Sequence, residues 1–181
     1  MSLSKEAQQA LCRTAMILPQ EQMQPVGQKH KKLFIGIPKE ISMQENRVAM
    51  VPEAVQLLVN NGHRVKLETG AGEASHFSDN EYSEAGAEIA YTTKEVYEAE
   101  LILKVEPISD DEMQYLRPKQ VLISAMQLNV HPKNYIKNLM QKRVTAIAWD
   151  YIADEDGVLP IVRSMGEIAG TTSILIAAEH L

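Results

Sequence analysis

Short apolar runs and stretches of helical periodicity alternate along this 181-residue chain from Leu33 onward. The apolar runs predict strands at 33–37, 64–68, 88–90, 101–105, 121–125 and 145–149. The helical patterns predict helices at 52–60, 79–85, 93–99, 110–116 and 132–141. The strands are apolar without strict alternation, as expected when helices cover both faces of a sheet. This alternation predicts an α/β fold with a doubly wound, mostly parallel sheet.

Residues typical of helix ends support these boundaries. Ser78 and Ser109 precede acidic first turns and are predicted N-caps. Gly62 and Gly86 follow predicted helices at positions that favour a positive φ.

Composition narrows the classes of function. A length of 181 residues with 45% hydrophobic content allows one ordinary domain plus extensions. A net charge of −6 without a long Lys/Arg cluster argues against a nucleic-acid partner, so we expect a small-molecule ligand. The chain has a single cysteine, Cys12, and it lacks both an apolar run of about 18 residues and a secretory signal. These features favour the cytoplasm without membrane insertion. The histidines show no metal-ligand spacing, and we predict no metal site.

The chain divides into three predicted parts. Residues 1–32 are Gln-rich and Pro-containing, which predicts a short amphipathic helix and a linker. Residues 33–163 form the α/β domain, and residues 164–181 form a helix rich in small and apolar residues. An apolar stretch of that size is seldom left in water, so we expect at least a dimer.

A charged loop follows the first predicted strand. It carries Lys39, Glu40, Glu45 and Arg47, and it lies at the carboxyl end of a strand, where parallel α/β sheets bind ligands. The planar fork of Arg47 matches two carboxylate oxygens, which makes it a candidate carboxylate clamp. The alternative is a surface pair with Glu40 or Glu45 that contributes at most about 1 kcal/mol.

The segment Gly70-Ala71-Gly72 follows a strand but does not complete a dinucleotide fingerprint. Ser75 stands where a third glycine or alanine would open a helix, and loop continues to the predicted helix start at Asp79. We therefore expect a Rossmann-like or flavodoxin-like domain without the dinucleotide fingerprint.

Several motifs occur in order along the chain: Gly-Ile-Pro-Lys-Glu at 36–40, Glu-Asn-Arg-Val-Ala at 45–49, Glu-x-Gly-Ala-Gly at 68–72, Phe-x-Asp-x-x-Tyr-x-x-Ala-Gly-Ala at 77–87 and Glu-Ile-Ala-Gly at 167–170. Together they resemble the amino-terminal domain of the alanine dehydrogenase and proton-translocating pyridine nucleotide transhydrogenase family. The resemblance implies oxidation of L-alanine to pyruvate and ammonia, with NAD bound mainly by a downstream domain. It also implies a homo-oligomer, and it makes 164–181 resemble the start of a linking helix in a longer protein.

The resemblance implies roles for three side chains. Arg47 would clamp the substrate carboxylate, Lys104 would polarise the carbonyl, and Met165 would wall the methyl pocket. Alanine dehydrogenases usually show Lys-Val-Lys-Glu-Pro, whereas this chain reads Lys-Val-Glu-Pro from Lys104. Either Lys104 takes the role in a shifted register or the role is lost.

The family histidine that acts as general acid/base is replaced here by Gln127. An amide has no usable proton equilibrium near neutral pH, so His131 is the nearest substitute. The alternative for His131 is a surface residue at a helix N-terminus. The segment Trp149-Asp150-Tyr151 ends a predicted strand and is expected to line the cleft.

Three functions remain compatible with these residues. The segment Met165-x-Glu167-Ile168-Ala169-Gly170 favours an alanine dehydrogenase-like substrate domain. Transhydrogenases also lack the histidine, so part of a transhydrogenase α subunit is the first alternative. A ligand-binding domain that has lost catalysis is the second.

Overall fold

Six parallel strands in the order β3-β2-β1-β4-β5-β6 form a sheet at the centre of the fold. The computed structural model describes residues 31–42, 44–130 and 133–180, so the predicted helix and linker before residue 31, and His131, lie outside the described residues. The strands are β1 (Phe34–Ile37), β2 (Arg64–Glu68), β3 (Glu88–Ala90), β4 (Leu101–Leu103), β5 (Val121–Ser124) and β6 (Thr145–Ala148). The predicted α/β fold and parallel sheet are confirmed.

The strand order reverses at β1. The chain builds outward through β2 and β3, then returns to β4, which pairs with β1 in the register Ile35 to Leu101 and Gly36 to Ile102. The carboxyl ends of β1 and β4 therefore meet at the topological switch point, where open α/β sheets bind their ligands.

Helices connect the strands close to the predicted positions. They are α1 (Pro52–Asn60), α2 (Asp79–Glu84), α3 (Thr93–Val96), α4 (Asp110–Met113), α5 (Lys133–Lys142) and α6 (Pro160–Glu179), with 3₁₀ turns at Glu73–Ser75 and Trp149–Tyr151. Helices α3 and α4 end three residues earlier than predicted. Each closes in a tight turn, with Ala99 N–H donating to Val96 O at 3.1 Å and Leu116 N–H donating to Met113 O at 3.3 Å.

The predicted capping serines and the two predicted positive-φ glycines are confirmed. Ser78 and Ser109 each accept a hydrogen bond from the third helical N–H, and Glu81 and Glu112 return the bond in complete capping boxes. Gly62 has φ +86° and Gly86 has φ +93°.

Two apolar clusters form most of the buried core of the described residues. One packs α1 and α2 against β1 and β2, and the other packs α4 and α5 against β4 and β5. Their central members are Ile37, Val55, Val65, Leu67 and Tyr82 in the first cluster and Ile102, Met113, Leu122, Tyr135 and Leu139 in the second.

Helix α6 carries no buried residue. It begins at Pro160, four residues before the predicted start, and Ile168, Ile174 and Leu175 are 69%, 71% and 66% exposed. Within the described ranges, no helix has the length and apolarity that a membrane crossing requires. The predicted association through this apolar surface stays a prediction.

Candidate functional site

A long charged loop replaces a glycine-rich turn after β1. Helix α1 does not begin until Pro52, and the loop carries Glu40, Glu45 and Arg47 across the carboxyl edge of the sheet. No helix N-terminus directly follows β1 to receive a pyrophosphate, which is how the first turn of a dinucleotide-binding fold works. The switch point therefore presents charged side chains where a phosphate loop would lie.

Arg47 is held by Glu45 from the same loop. Its Nε donates to Glu45 Oε1 at 2.7 Å, its Nη2 donates to Oε2 at 2.6 Å, and its backbone N–H donates to Oε1 at 2.9 Å. These hydrogen bonds hold the pKa of Glu45 below its ordinary value and raise the pKa of Arg47. The pair predicted as the alternative for Arg47 is present, with Glu45 as the partner.

Arg47 also reaches the long helix. Its Nη1 lies 3.1 Å from the Sδ atom of Met165 in α6. The two residues are separated by 118 positions in sequence, and both line the same pocket beside the carboxyl ends of β4 and β5.

This switch-point pocket has a volume of about 310 Å³ and mostly apolar walls. It brings together three of the predicted site residues, Arg47, Lys104 and Met165. The other lining residues are Val48, Ala49, Leu103, Val105, Ile123, Trp149, Ile152 and Ile161. An apolar pocket with one accessible guanidinium suits a small carboxylate that carries a small apolar group.

Lys104 is committed to a buried ion network. Its side chain is 1% exposed, and its Nζ lies 2.6 Å from Glu112 Oε1 and 3.4 Å from Glu40 Oε2. Tyr97 donates its hydroxyl to the same Glu112 Oε1 at 3.1 Å. Because two carboxylates surround one ammonium, the charge of Lys104 is compensated within the protein. This geometry favours the alternative in which the lysine role toward substrate is lost.

Glu40 links the network to the pocket wall. Its Oε1 accepts the backbone N–H of Val105 at 2.7 Å, and the carbonyl of Val105 accepts Trp149 Nε1 at 3.2 Å. Burial raises the pKa of Glu40, and the nearby Lys104 ammonium opposes that rise. The chain of contacts fixes the loops after β1, β4 and β6 against one another.

Gln127 lies in the loop after β5, which Asp150 holds in place. Asp150 Oδ1 and Oδ2 accept the backbone N–H groups of Met126 and Gln127, each at 3.0 Å. Gln127 has φ +41°, its side chain is exposed, and it does not line the switch-point pocket. Trp149, the residue before Asp150, does line it, in agreement with the predicted position of that segment.

The segment Gly70-Ala71-Gly72 serves the packing of its own turn. The Gly70 N–H and the Thr69 hydroxyl donate to the Asp79 carboxylate at 2.9 and 2.6 Å. A Cβ at Gly72 would lie 2.6 Å from Tyr82 Cε2 and 2.8 Å from the carbonyl oxygen of Phe77. These glycines allow close internal approach and leave no phosphate cradle.

Sequence reasoning missed the roles of two residues that organise the site. Glu112 binds Lys104, and Asp150 holds the loop after β5. The Ser109-x-x-Glu112 spacing is typical of a capping box, and Glu112 Oε2 does accept the Ser109 N–H at 2.9 Å. Nothing local indicated that its other oxygen would bind Lys104. In the described part of the chain, no group of three or more His, Cys, Asp or Glu residues could hold a metal ion.

The family comparison covers most of this domain. The model of the family described as "Alanine dehydrogenase/PNT, N-terminal domain" matches residues 36–169, which include the charged loop, the switch-point pocket and the first half of α6.

The chain is also similar in sequence to individual alanine dehydrogenases. The chain is 41% identical over 150 residues to an alanine dehydrogenase of Methanococcus maripaludis and 42% identical over 149 residues to that of Bacillus subtilis. Each alignment covers 82% of this chain but only 40% and 39% of the relative, so the chain spans about two fifths of their length.

Solved structures are similar as well. An L-alanine dehydrogenase superposes with a TM-score of 0.76 at 34% identity, over 78% of this chain and 39% of the other. A transhydrogenase from Sinorhizobium meliloti superposes with a TM-score of 0.62 at 32% identity, over 65% of this chain and 35% of the other.

Proposed function

Because the chain belongs to the alanine dehydrogenase/PNT family, whose N-terminal domain it carries, we propose that it forms the substrate-binding half of an NAD-dependent alanine dehydrogenase-like oxidoreductase. The proposed reaction converts L-alanine and water to pyruvate and ammonia. A nicotinamide bound mainly outside the described residues would accept the hydride.

One observation carries this proposal: Arg47, Met165 and apolar walls converge on the switch-point pocket. The guanidinium would bind the substrate carboxylate, and the thioether of Met165 would contact the methyl group. Val105 and Trp149 would form apolar walls beside the reacting carbon. A compact apolar pocket with a single cationic clamp suits alanine and pyruvate better than a large or highly charged substrate.

The described residues do not fit a dinucleotide by themselves. The loop after β1 lacks a glycine-rich turn, and the hydrogen-bonding groups of Thr69 and Gly70 are used by Asp79. In this proposal the described residues bind and orient the small substrate.

Gln127 supports a second candidate function. A transhydrogenase passes hydride directly between two nicotinamides and needs no acid/base group, so glutamine at the family's histidine position is compatible with that chemistry. The similarity to a transhydrogenase structure is consistent with this alternative. The two functions differ in whether Arg47 binds an amino-acid carboxylate.

We expect Arg47→Ala to weaken pyruvate binding by the complete gene product about 10- to 100-fold, because a hydrogen bond to a charged group contributes about 1.5–3 kcal/mol. Isothermal titration calorimetry with pyruvate measures the change. Arg163→Ala is the matched control, since Arg163 lies on exposed α6 in a solvated pair with Glu167. Equal pyruvate affinity in Arg47→Ala and the parent would contradict the proposed alanine dehydrogenase-like function.

We expect the 181-residue chain to bind NADH with no useful affinity, because its described residues carry no dinucleotide fingerprint. Calorimetric titration of NADH into the chain tests this. A dissociation constant in the micromolar range would show that a nucleotide site exists where the sequence and the structure provide no phosphate cradle.

A further inference from the structure

Glu45 is held in a defined geometry, and the proposed reaction gives this residue no role. Its side chain is 8% exposed, although it lies on a loop. Both carboxylate oxygens accept hydrogen bonds from Arg47: Oε1 takes the backbone N–H and Nε, and Oε2 takes Nη2. The carboxylate is therefore held by backbone and side chain together.

The two edges of the Arg47 guanidinium have different surroundings. Glu45 occupies the side edge, formed by Nε and Nη2, in a bidentate pair. The terminal edge, formed by Nη1 and Nη2, lies toward α6, where Nη1 is 3.1 Å from Met165 Sδ. Because a guanidinium carries five N–H donors in a fixed plane, the terminal edge can bind a second carboxylate while the side edge stays occupied.

We propose that Glu45 is a positioning residue, which holds Arg47 by its side edge and presents the terminal edge to the substrate carboxylate in the switch-point pocket. This inference rests on the proposed function. Arg47 is 54% exposed, so its long side chain would otherwise sample many orientations. Glu45 restricts that freedom before the substrate arrives, which lowers the entropic cost of binding.

A competing role for Glu45 would be that of an internal ligand that leaves Arg47 when substrate binds. The backbone N–H of Arg47 argues against this, because it anchors Glu45 Oε1 at 2.9 Å independently of the guanidinium. The same contacts hold the pKa of Glu45 below its ordinary value. The residue therefore stays anionic at neutral pH and keeps its hydrogen bonds to Arg47. The two roles predict opposite effects when the charge of Glu45 is removed.

The test combines affinity with a spectroscopic signature. In Glu45→Gln, pyruvate should bind the complete gene product about fivefold more weakly, because the freed Arg47 side chain must then be ordered on binding. Glu53→Gln removes an exposed carboxylate from α1 and should leave the affinity unchanged. Arginine side-chain ¹⁵N spectra of the parent should show that pyruvate shifts the Nη resonances of Arg47 more than its Nε resonance.

Each outcome decides between the alternatives. Tighter pyruvate binding in Glu45→Gln, or a dominant shift of the Arg47 Nε resonance, would identify Glu45 as a competitor and overturn the inference. Unchanged affinity in Glu45→Gln would also overturn it. If Arg47→Ala binds pyruvate as well as the parent, the proposed function fails. If Arg47→Ala weakens binding and Glu45→Gln does not, the positioning role alone fails.

Discussion

Lys104→Met is expected to lower the free energy of unfolding by about 3–5 kcal/mol, the largest stability effect that the site predicts. Lys104 Nζ lies 2.6 Å from Glu112 and 3.4 Å from Glu40, and all three side chains are at most 5% exposed. Removing the ammonium leaves two buried carboxylates without a cation. Methionine keeps most of the side-chain volume, so the loss reports charge rather than a cavity.

The destabilisation should depend on pH with a defined sign. Burial already raises the pKa of Glu40, and loss of the Lys104 ammonium removes the largest of the interactions that oppose that rise. A carboxyl whose pKa is raised in the folded state stabilises the fold below its unfolded pKa, and this stabilisation is lost as pH rises through the folded value. The deficit of Lys104→Met should therefore be smaller at acidic pH than at neutral pH.

Urea unfolding at several pH values measures both effects. Lys94→Met is the matched control, because Lys94 is exposed in α3 and should change the unfolding free energy by no more than about 0.5 kcal/mol. Equal losses in the two variants would mean that the buried network does not stabilise the domain.

The side chain at position 127 is exposed and lies outside the switch-point pocket, so Gln127→His tests whether this loop reaches the substrate. If it does, this variant is expected to produce the largest change in activity. General acid/base catalysis typically contributes about 10²- to 10⁴-fold, and glutamine cannot supply it. The backbone at position 127 has φ +41°, a region in which histidine is enriched among non-glycine residues, so the loop can accept the substitution. If position 127 acts at the substrate, the variant should gain dehydrogenase activity in the complete gene product with a titration near pH 6.5, the ordinary histidine pKa.

His131 provides the decisive comparison. If His131 has taken over the proton transfer, Gln127→His should have little effect and His131→Ala should abolish turnover. Steady-state kinetics against pH, with alanine and with pyruvate plus ammonia, separates these cases. Unchanged kinetics in both variants would favour the transhydrogenase or non-catalytic alternatives.

Much of the fold could be predicted because its signals are local. The βαβ alternation located all six strands, and the capping residues Ser78 and Ser109 placed two helix starts correctly. The ends of α3 and α4 were less predictable, because a helical pattern does not reveal where a tight turn must bring the chain back to the next strand.

The candidate site was predictable only in part, because most of its contacts join residues that are far apart in sequence. The Glu45–Arg47 pair is two residues apart and could be stated as an alternative from the sequence. The contact between Glu40 and Val105 spans 65 positions, and its existence depends on the strand order that brings β1 beside β4. Similarly, the two hydrogen bonds from the Met126–Gln127 backbone to Asp150 require the pairing of β5 with β6.

A crystal structure of the complete gene product with oxamate, an unreactive analogue of pyruvate, tests the central claim most directly. We predict that the oxamate carboxylate lies in the switch-point pocket within about 2.7–2.9 Å of the Arg47 Nη atoms, the usual distance for a charge-assisted pair. Glu45 should remain on the side edge of the same guanidinium. Oxamate bound elsewhere, with Arg47 contacting only Glu45 and Met165, would contradict the assignment of this pocket as the substrate site.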